Sequence, residues 1–485
     1  MGGGSLRNRV ARGTIVNSLY LVFINTLTII QGLLVARLLG AQEYGVWGLL
    51  LVIFGTLAFL AGVGFNDKYI QQDHPDQEVA FQIAFTLHTI LCTGFALIAL
   101  AVVPLCALLY DEPRILLPGM LTALSMPLMA FEAPTWVFYR RMDFRRTRIL
   151  QSIRPVTMFM VTVPLAALGY GFWSLFIGSI AGVVARALAT VFVSPYKLRF
   201  RYERGLAREY TSYSWPVLTS STIAVVTYQV PITIAVRALG TAAVGAIALT
   251  SQILGYTRRV DDVVTHALYP AICAVGDQRD LLFESFSKSN RLAVMWGFPL
   301  GIGASLFAAE LVSVVLGDSW MLAVPLIQVM GVAAAVDQVG FNWTAFARAR
   351  GDTRIMAVQS GLVFFAVLGV GVPLLITEGL SGYAFGIAAG TLVALVVRFV
   401  YLARLFPSFR LVSHVMGAIT PTFLAAAAVL LARATLPAGD SAGRTAAEVA
   451  TYLAIVGVTT MVTERALLKE SVGYLRRAAR PASGA

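Results

Sequence analysis

Residues 81–110 read FQIAFTLHTILCTGFALIALAVVPLCALLY, thirty positions without one Asp, Glu, Lys or Arg. A helix needs about 20 apolar residues to cross the hydrocarbon core of a bilayer. This stretch therefore predicts a membrane-spanning helix. It decides the fold class because the same pattern recurs on both sides of it along the chain.

Fourteen such spans are predicted in the 485 residues. The first is too long for the apolar core of a signal peptide and is followed by many further spans, so it predicts a membrane anchor. The predicted spans are 14–37, 45–65, 81–110, 116–139, 149–168, 172–195, 210–238, 244–270, 291–316, 322–346, 355–377, 383–403, 412–436 and 447–464.

The composition agrees with a membrane protein. Hydrophobic residues make up 58% of the chain and charged residues 13%, against about 45–50% and 25% in soluble domains. So few charges exclude a large soluble protein, a disordered chain and a nucleic-acid-binding module, despite the net charge of +12. Three scattered cysteines and four histidines form no disulfide or zinc pattern, and no phosphate-binding loop is present. We therefore expect neither a metal nor a cofactor.

The basic residues predict the orientation, because Lys and Arg near span ends are retained in the cytoplasm. With the N-terminus inside, 27 of the 37 basic residues lie on inner segments, five on outer segments and five within spans. This bias predicts a multi-pass protein of the cytoplasmic membrane with both termini cytoplasmic.

The sequence also contains an internal duplication. VARLLGAQEYG at 35–45 matches AVRALGTAAVG at 235–245, an offset of 200. Two more matches follow in order, at offsets of 206 and 212: 147–149 with 353–355, and Gly178, Val184 and Arg186 with Gly390, Val396 and Arg398.

Matches six spans apart predict two lobes of the same orientation, a pattern known among transporters. The predicted fold is an all-α polytopic membrane protein of about 14 transmembrane helices. Two parallel six-helix lobes surround a central cleft, and two C-terminal helices are appended. The expected domains are 1–207, 208–410 and 411–485, the last ending in a basic cytoplasmic tail.

Four stretches carry a resemblance to a known family: ARLLGAQEYGVWGLL at 36–50, FYRRMDFRR at 138–146, ALYPAI at 267–272 and VVLGDSWMLAVPLIQVMG at 314–331. They resemble the polysaccharide transporter family of the multidrug/oligosaccharidyl-lipid/polysaccharide flippase superfamily. The resemblance implies a flippase that moves polyprenyl-diphosphate-linked oligosaccharides across the bacterial cytoplasmic membrane for polysaccharide export. Lipopolysaccharide and exopolysaccharide are the glycan classes concerned, and no fixed catalytic motif is implied.

The richest group of charges within a predicted span is Arg258, Arg259, Asp261 and Asp262. On a helix, residues three and four apart are neighbours, so Arg258 would meet both aspartates. One interpretation is a cationic receptor for the lipid diphosphate, since the guanidinium fork suits phosphate oxygens. The other is a purely structural group, in which the arginines and aspartates pair with one another so that the charges can be buried.

Further site residues are predicted on other spans, each with a structural alternative. Arg154 and Arg186 are candidates for substrate binding, with Glu132 as a charge partner. The alternatives are that Arg154 snorkels to the inner interface and that Glu132 and Arg186 form a structural pair. Asn25, Gln31, Tyr228 and Gln229 offer sugar-binding donors and acceptors or polar contacts between helices. Asp337, beside Gln338 and Asn342, is a candidate for proton or sodium coupling. Arg37 and Arg237 are interfacial anchors or a cationic ring at the outer exit.

Two other functions remain open at this point. A drug or metabolite antiporter of the same superfamily would need acidic sites in the membrane, and the excess of arginine over carboxylate within the spans favours an anionic cargo. A membrane glycosyltransferase or polymerase would need a catalytic carboxylate or an arginine-rich outer loop, and the predicted outer loops are tiny. We therefore expect a transporter and not an enzyme. Its expected partners are the lipid-linked oligosaccharide and membrane lipids, with a polymerase and glycosyltransferases as further candidates, and no nucleic acid.

Overall fold

The computed structural model describes residues 6–61, 65–72, 74–141, 143–205, 207–208, 210, 227, 229–259, 272, 278–350, 353–406, 410–435, 442–470 and 473. Within these ranges the regular structure is helical and contains no strand. The prediction of an all-α polytopic membrane protein is confirmed. The chain divides into two compact units, one within Met1–Gln229 and one within Val230–Tyr474.

The first unit is built from long helices joined by short turns. Asp76 caps the third helix, with its Oδ1 accepting from the backbone N–H groups of Glu78 and Val79, which satisfies donors that a helix start leaves open. The helices are α1 (Leu6–Ala61), α2 (Phe65–Gln71), α3 (Gln77–Tyr110), α4 (Leu116–Ser125), α5 (Pro134–Arg140), α6 (Phe144–Ala167) and α7 (Trp173–Phe192), with 3₁₀ turns at Pro113–Ile115 and Met126–Glu132.

The second unit is also built from helices joined by turns. Its helices are α8 (Gln229–Leu239), α9 (Thr241–Gly255), α10 (Arg279–Leu306), α11 (Ala308–Glu310), α12 (Val324–Asp337), α13 (Trp343–Ala349), α14 (Thr353–Ala366), α15 (Val372–Leu405), α16 (Leu411–Thr435) and α17 (Ala442–Thr463). Helix α8 begins at the last residue of the first unit. The 3₁₀ turns Tyr256–Arg258 and Asp318–Ala323 and the π turns Leu311–Leu316 and Val367–Gly371 lie between helices.

Nine helices of the described ranges are long and apolar enough to cross a bilayer, or ten with the pair Arg279–Leu306 and Ala308–Leu316, which bends by 68°. Two of the nine, Val22–Leu57 and Arg354–Leu405, each cover two predicted spans. Predicted spans seven and eight run through 211–226 and 260–270, which lie outside the described residues. The count of fourteen therefore stays a prediction, as do the domain bounds.

The two stretches that revealed the duplication have the same backbone. Gly40 has φ 74° and ψ 172°, and Gly240 has φ 83° and ψ 178°. Side-chain-bearing residues are essentially excluded from this conformation. Each glycine breaks the helical path between two consecutive apolar segments, at the position where the sequence placed the outer turn of its lobe.

The C-terminal pair of helices packs on α10 within the second unit. The Arg291 guanidinium contacts both carboxylate oxygens of Glu464, at 2.6 and 2.5 Å, and the Glu464 side chain is only 1% exposed. The Tyr452 hydroxyl donates to the Pro299 carbonyl at 2.8 Å. Polar contacts at two levels of α10 therefore hold α17 and the residue that follows it.

Candidate functional site

The second unit contains a carboxylate shared by two arginines. Asp337 ends α12; its Oδ1 lies 3.0 Å from Arg398 Nη2 on α15, and its Oδ2 lies 2.7 Å from Arg258 Nη2. The Phe341 ring faces both guanidinium groups, with centroid distances of 5.1 Å to Arg258 and 5.9 Å to Arg398. We call these four residues the Asp337 cluster. Its formal charge is positive, because two arginines face one aspartate.

The two arginines of the Asp337 cluster differ in surroundings. Arg398 is buried, and its Nη1 also donates to the carbonyls of Asp337 at 2.6 Å and Val339 at 2.7 Å. Helix α12 ends there and Gly340 turns with φ 69°, so these carbonyls lack helical donors, and a cation suits the negative end of a helix. Arg398 is thus a helix cap as well as an ion-pair partner.

Arg258 is the open member of the cluster. Its side chain is 49% exposed, against 4% for Arg398. One terminal nitrogen donates to Asp337, while a guanidinium carries five N–H donors. Arg258 is therefore held in position by Asp337 and the Phe341 ring while keeping donors for a further anion.

The first unit contains a corresponding pair. Glu132 Oε2 lies 2.9 Å from Arg186 Nη1, and both side chains are mostly buried, at 13% and 17% exposure. Arg154 interacts electrostatically with both. We call these three residues the Glu132 cluster. The Glu132–Arg186 pair suggested by the sequence is present, and a second arginine again leaves a positive formal charge.

The two clusters extend the duplication. Arg186 and Arg398 are the residues that match at an offset of 212, and their partners Glu132 and Asp337 are 205 apart. That value falls between the offset of 200 before these positions and the offset of 206 after them. The sequence comparison did not match Glu132 with Asp337 because the two residue types differ. The series of offsets, 200 and then 206, would have indicated that these positions correspond.

The clusters differ in how fully the carboxylate is bound. Both oxygens of Asp337 accept from guanidinium groups. Glu132 Oε1 is buried and has no hydrogen-bond donor within the described ranges. Asp337 is therefore poorly suited to the proton or sodium site suggested by the sequence, because two cations already occupy its oxygens. Gln338 and Asn342 instead bond to neighbouring polar groups, at Ala334 O and Ser289 Oγ.

Among the described residues, the hydrogen-bond partner of Arg258 lies at the end of another helix, α12. The sequence predicted Asp261 and Asp262 as its partners, whereas the observed partner is Asp337, 79 positions further along the chain. Asp261 and Asp262 lie outside the described residues. Arg259 lies with its guanidinium 5.8 Å from the Tyr256 ring centroid and is exposed.

The predicted sugar-binding amides lie in different settings. The Gln229 side chain donates to the Val52 carbonyl at 3.0 Å and also to the Thr56 hydroxyl. Gln31 is buried and Asn25 is half-buried on α1, and Tyr228 lies outside the described residues. These bonds hold Gln229 against α1, and its role in binding sugar stays a prediction.

The predicted outer arginines occupy equivalent places. Arg37 and Arg237 are both exposed and each lies three residues before a glycine of positive φ. An ionic network that the sequence did not indicate lies near the first of these turns. Arg114 bonds to Glu112 at 2.7 Å and to Glu43 at 2.8 Å, and Glu43 also accepts from the backbone N–H of Phe172. This network ties three turns of the first unit together.

Residues 34–325, more than half of the chain, match the family model described as "Polysaccharide biosynthesis protein". The chain belongs to this family. The succinoglycan biosynthesis transport protein ExoT of Rhizobium meliloti is 22% identical over 313 residues, which cover 62% of each chain. The lipopolysaccharide biosynthesis protein WzxC of Escherichia coli is 20% identical over 412 residues, 81% of this chain and 80% of that protein.

Solved structures share the fold. The lipid II flippase MurJ in an inward closed conformation superposes with a TM-score of 0.72 and 12% identity, over 94% of this chain and all of that one. An inward-facing multidrug resistance transporter of the MATE family superposes with a TM-score of 0.66 and 15% identity, over 80% and 97%. The resemblance to the polysaccharide family is confirmed, and the chain is a multi-pass membrane protein that shares its fold with these two structures.

Proposed function

We propose that the protein is a flippase that carries polyprenyl-diphosphate-linked oligosaccharide across the bacterial cytoplasmic membrane by alternating access, and that it performs no catalysis. It serves polysaccharide biosynthesis and export, with both termini in the cytoplasm. Membership of the polysaccharide biosynthesis family supports a glycan as part of the transported cargo. The names of the two relatives, a succinoglycan transport protein and a lipopolysaccharide biosynthesis protein, support the process.

One observation favours this function over the antiporter of cationic drugs that the MATE fold also permits. Among the described residues, each unit places one carboxylate near two arginines in its membrane-spanning part. An ionised group in a span costs at least about 2–3 kcal/mol unless it is paired or hydrated. Excess positive charge there favours an anionic cargo, and it disfavours a cationic one.

In this proposal Arg258 binds the diphosphate, and Arg259, the next residue, is a second candidate for the same contact. Arg258 is positioned by Asp337 and half-exposed, and arginine binds phosphate through paired N–H groups. Arg398 and Arg186 then serve as structural partners of the carboxylates, and Arg154 is the corresponding candidate in the first unit. The polyprenyl tail stays in lipid, and the sugars meet polar side chains such as the half-buried Asn25.

Binding by the purified chain tests the charge of the cargo. Three compounds are compared in neutral detergent: a polyprenyl-diphosphate disaccharide, the same glycolipid without phosphate, and a cationic dye. We expect only the diphosphate to raise the melting temperature, because only it supplies oxygens to Arg258. Stabilisation by the dye and not by the diphosphate would favour the antiporter.

A further inference from the structure

The chain does not enter another helix directly after α7. Residues 197–203 have no regular structure and run along the beginning of α3. The Lys197 N–H donates to Glu78 Oε1 at 3.1 Å, and the Gln82 amide donates to the Lys197 carbonyl at 3.2 Å. Further along, the Arg201 N–H donates to the Thr86 hydroxyl at 2.8 Å. We call residues 196–201, YKLRFR, the strap.

The spacing of these bonds shows that the strap is extended. Glu78 and Thr86 are about 12 Å apart along a helix that rises 1.5 Å per residue. The strap covers this distance between Lys197 and Arg201, about 3 Å per residue, which is close to the rise of a β-strand. Consecutive side chains of an extended chain point to opposite sides.

The alternation separates apolar from basic side chains. On one side, Tyr196 contacts the Phe81 ring at 5.7 Å, Phe200 stacks on Phe85 at 5.6 Å, and Leu198 packs against the core beside α3. The side chains of Lys197, Arg199 and Arg201 alternate with these and are exposed. Within the described part of the chain, no carboxylate lies within 4 Å of their charged groups.

The strap lies at the level of lipid headgroups. Helix α3 ends at Tyr110, beside the acidic turn that bounds its apolar run. From there Thr86 is about 36 Å along the helix and Glu78 about 48 Å, whereas the hydrocarbon core is about 30 Å thick and the bilayer with headgroups about 40–45 Å. With the acidic turn after Tyr110 at the outer surface of the bilayer, these distances place Arg201 in the opposite headgroup layer and Lys197 at the water side of that layer.

We propose that the strap binds the phosphate groups of anionic phospholipids in the leaflet where α3 begins, the cytoplasmic one in the predicted orientation. Three cations on one edge complement such headgroups, and basic segments beside spans are attracted to them. Phe200 is 70% exposed at the same level, which suits an interfacial aromatic. This inference does not depend on the transported cargo.

The test is lipid binding by the full chain in neutral detergent, counted by native mass spectrometry. Dioleoyl phosphatidylglycerol is titrated against dioleoyl phosphatidylcholine for wild type and for the triple variant K197Q/R199Q/R201Q. Each basic residue near an anionic surface contributes about fivefold in affinity. We expect the preference for phosphatidylglycerol to fall by about tenfold to one hundredfold. An unchanged preference would overturn the proposal.

Two matched variants separate local binding from net charge. R199K/R201K keeps the cations and should bind like wild type. R279Q/R354Q/R404Q removes three exposed cations elsewhere and should keep the preference; an equal loss there would contradict a local site. All variants should melt like wild type, because the bonds that hold the strap come from its backbone. Displacement of the lipid by millimolar glycerol phosphate would assign the strap to soluble phosphates and overturn the lipid assignment.

Discussion

At the scale of single residues, Asp337 shows how two arginines on one carboxylate come to have different roles. Arg398 is enclosed and also satisfies two carbonyls where α12 ends, whereas Arg258 is half-exposed and makes one bond to the aspartate. The same change of charge therefore has different expected consequences at the two positions. Loss of the charge at Arg398 should lower the stability of the folded protein, and loss of the charge at Arg258 should weaken binding of the cargo.

R398Q should destabilise the protein. It removes one partner of a buried ion pair, which costs about 3–5 kcal/mol, and leaves the carbonyls of Asp337 and Val339 without that donor. The matched variant is R404Q, an exposed position six residues further along the same helix, where the cost should stay below about 1 kcal/mol. The melting temperature in detergent checks both. An R398Q protein as stable as R404Q would contradict the capping role.

Residue partners were the least predictable feature. The Glu132–Arg186 pair was predicted because a buried charge needs a partner and both residues lie at a similar depth. The partner of Arg258 was missed because spacing along one helix reveals only neighbours on that helix. Asp337 comes close to Arg258 through the packing of α12 beside α9, which local sequence does not specify.

At the scale of elements, glycine breaks divide apolar stretches that are otherwise continuous. Gly40 lies inside α1, Gly240 lies between α8 and α9, and Gly379 interrupts α15. Hydropathy predicted the spans on both sides of these positions, and the duplication indicated that the first two are equivalent. The 3₁₀ turn Met126–Glu132 was not predicted as such, although Pro127 within it removes a helical donor.

G240A should destabilise the protein although there is room for the methyl group. No heavy atom lies within 4 Å of a β-carbon built at Gly240, so the cost comes from the backbone conformation, about 1–3 kcal/mol. The control is G255A, where the glycine is helical and its surroundings are also open. Alanine there should be neutral or stabilising by up to about 1 kcal/mol. Equal melting temperatures for the two variants would show that the Gly240 turn tolerates a side chain.

At the scale of the whole molecule, the chain contains two compact units, and each unit has its own glycine turn and its own arginine–carboxylate pair. The polytopic helical fold was predictable because apolar runs of span length are visible without tertiary information. The number of spans and the domain bounds remain predictions. They depend on predicted spans seven and eight, which carry polar and charged residues and extend beyond the described ranges.

The predicted orientation is tested with a reporter that is active only outside the cytoplasm. Fused after Ala485, it should be silent, because the basic tail is expected inside; inserted near Asp440, between the last two spans, it should be active. Insertion near Asp111 provides a second outer position in the other half of the chain. The reverse pattern would contradict the predicted positions of both termini.

The most direct test of the flippase proposal is translocation by the purified chain in proteoliposomes. A polyprenyl-diphosphate oligosaccharide is placed in both leaflets, and a glycosidase added outside reports how fast the inner pool becomes accessible. Wild type and R404Q should expose that pool much faster than protein-free vesicles. R258Q should be at least about tenfold slower while remaining folded, since charged hydrogen bonds contribute about 1.5–3 kcal/mol. Wild-type vesicles no faster than protein-free ones would contradict the flippase, and full activity of R258Q would move the anionic site to Arg154 and Arg186.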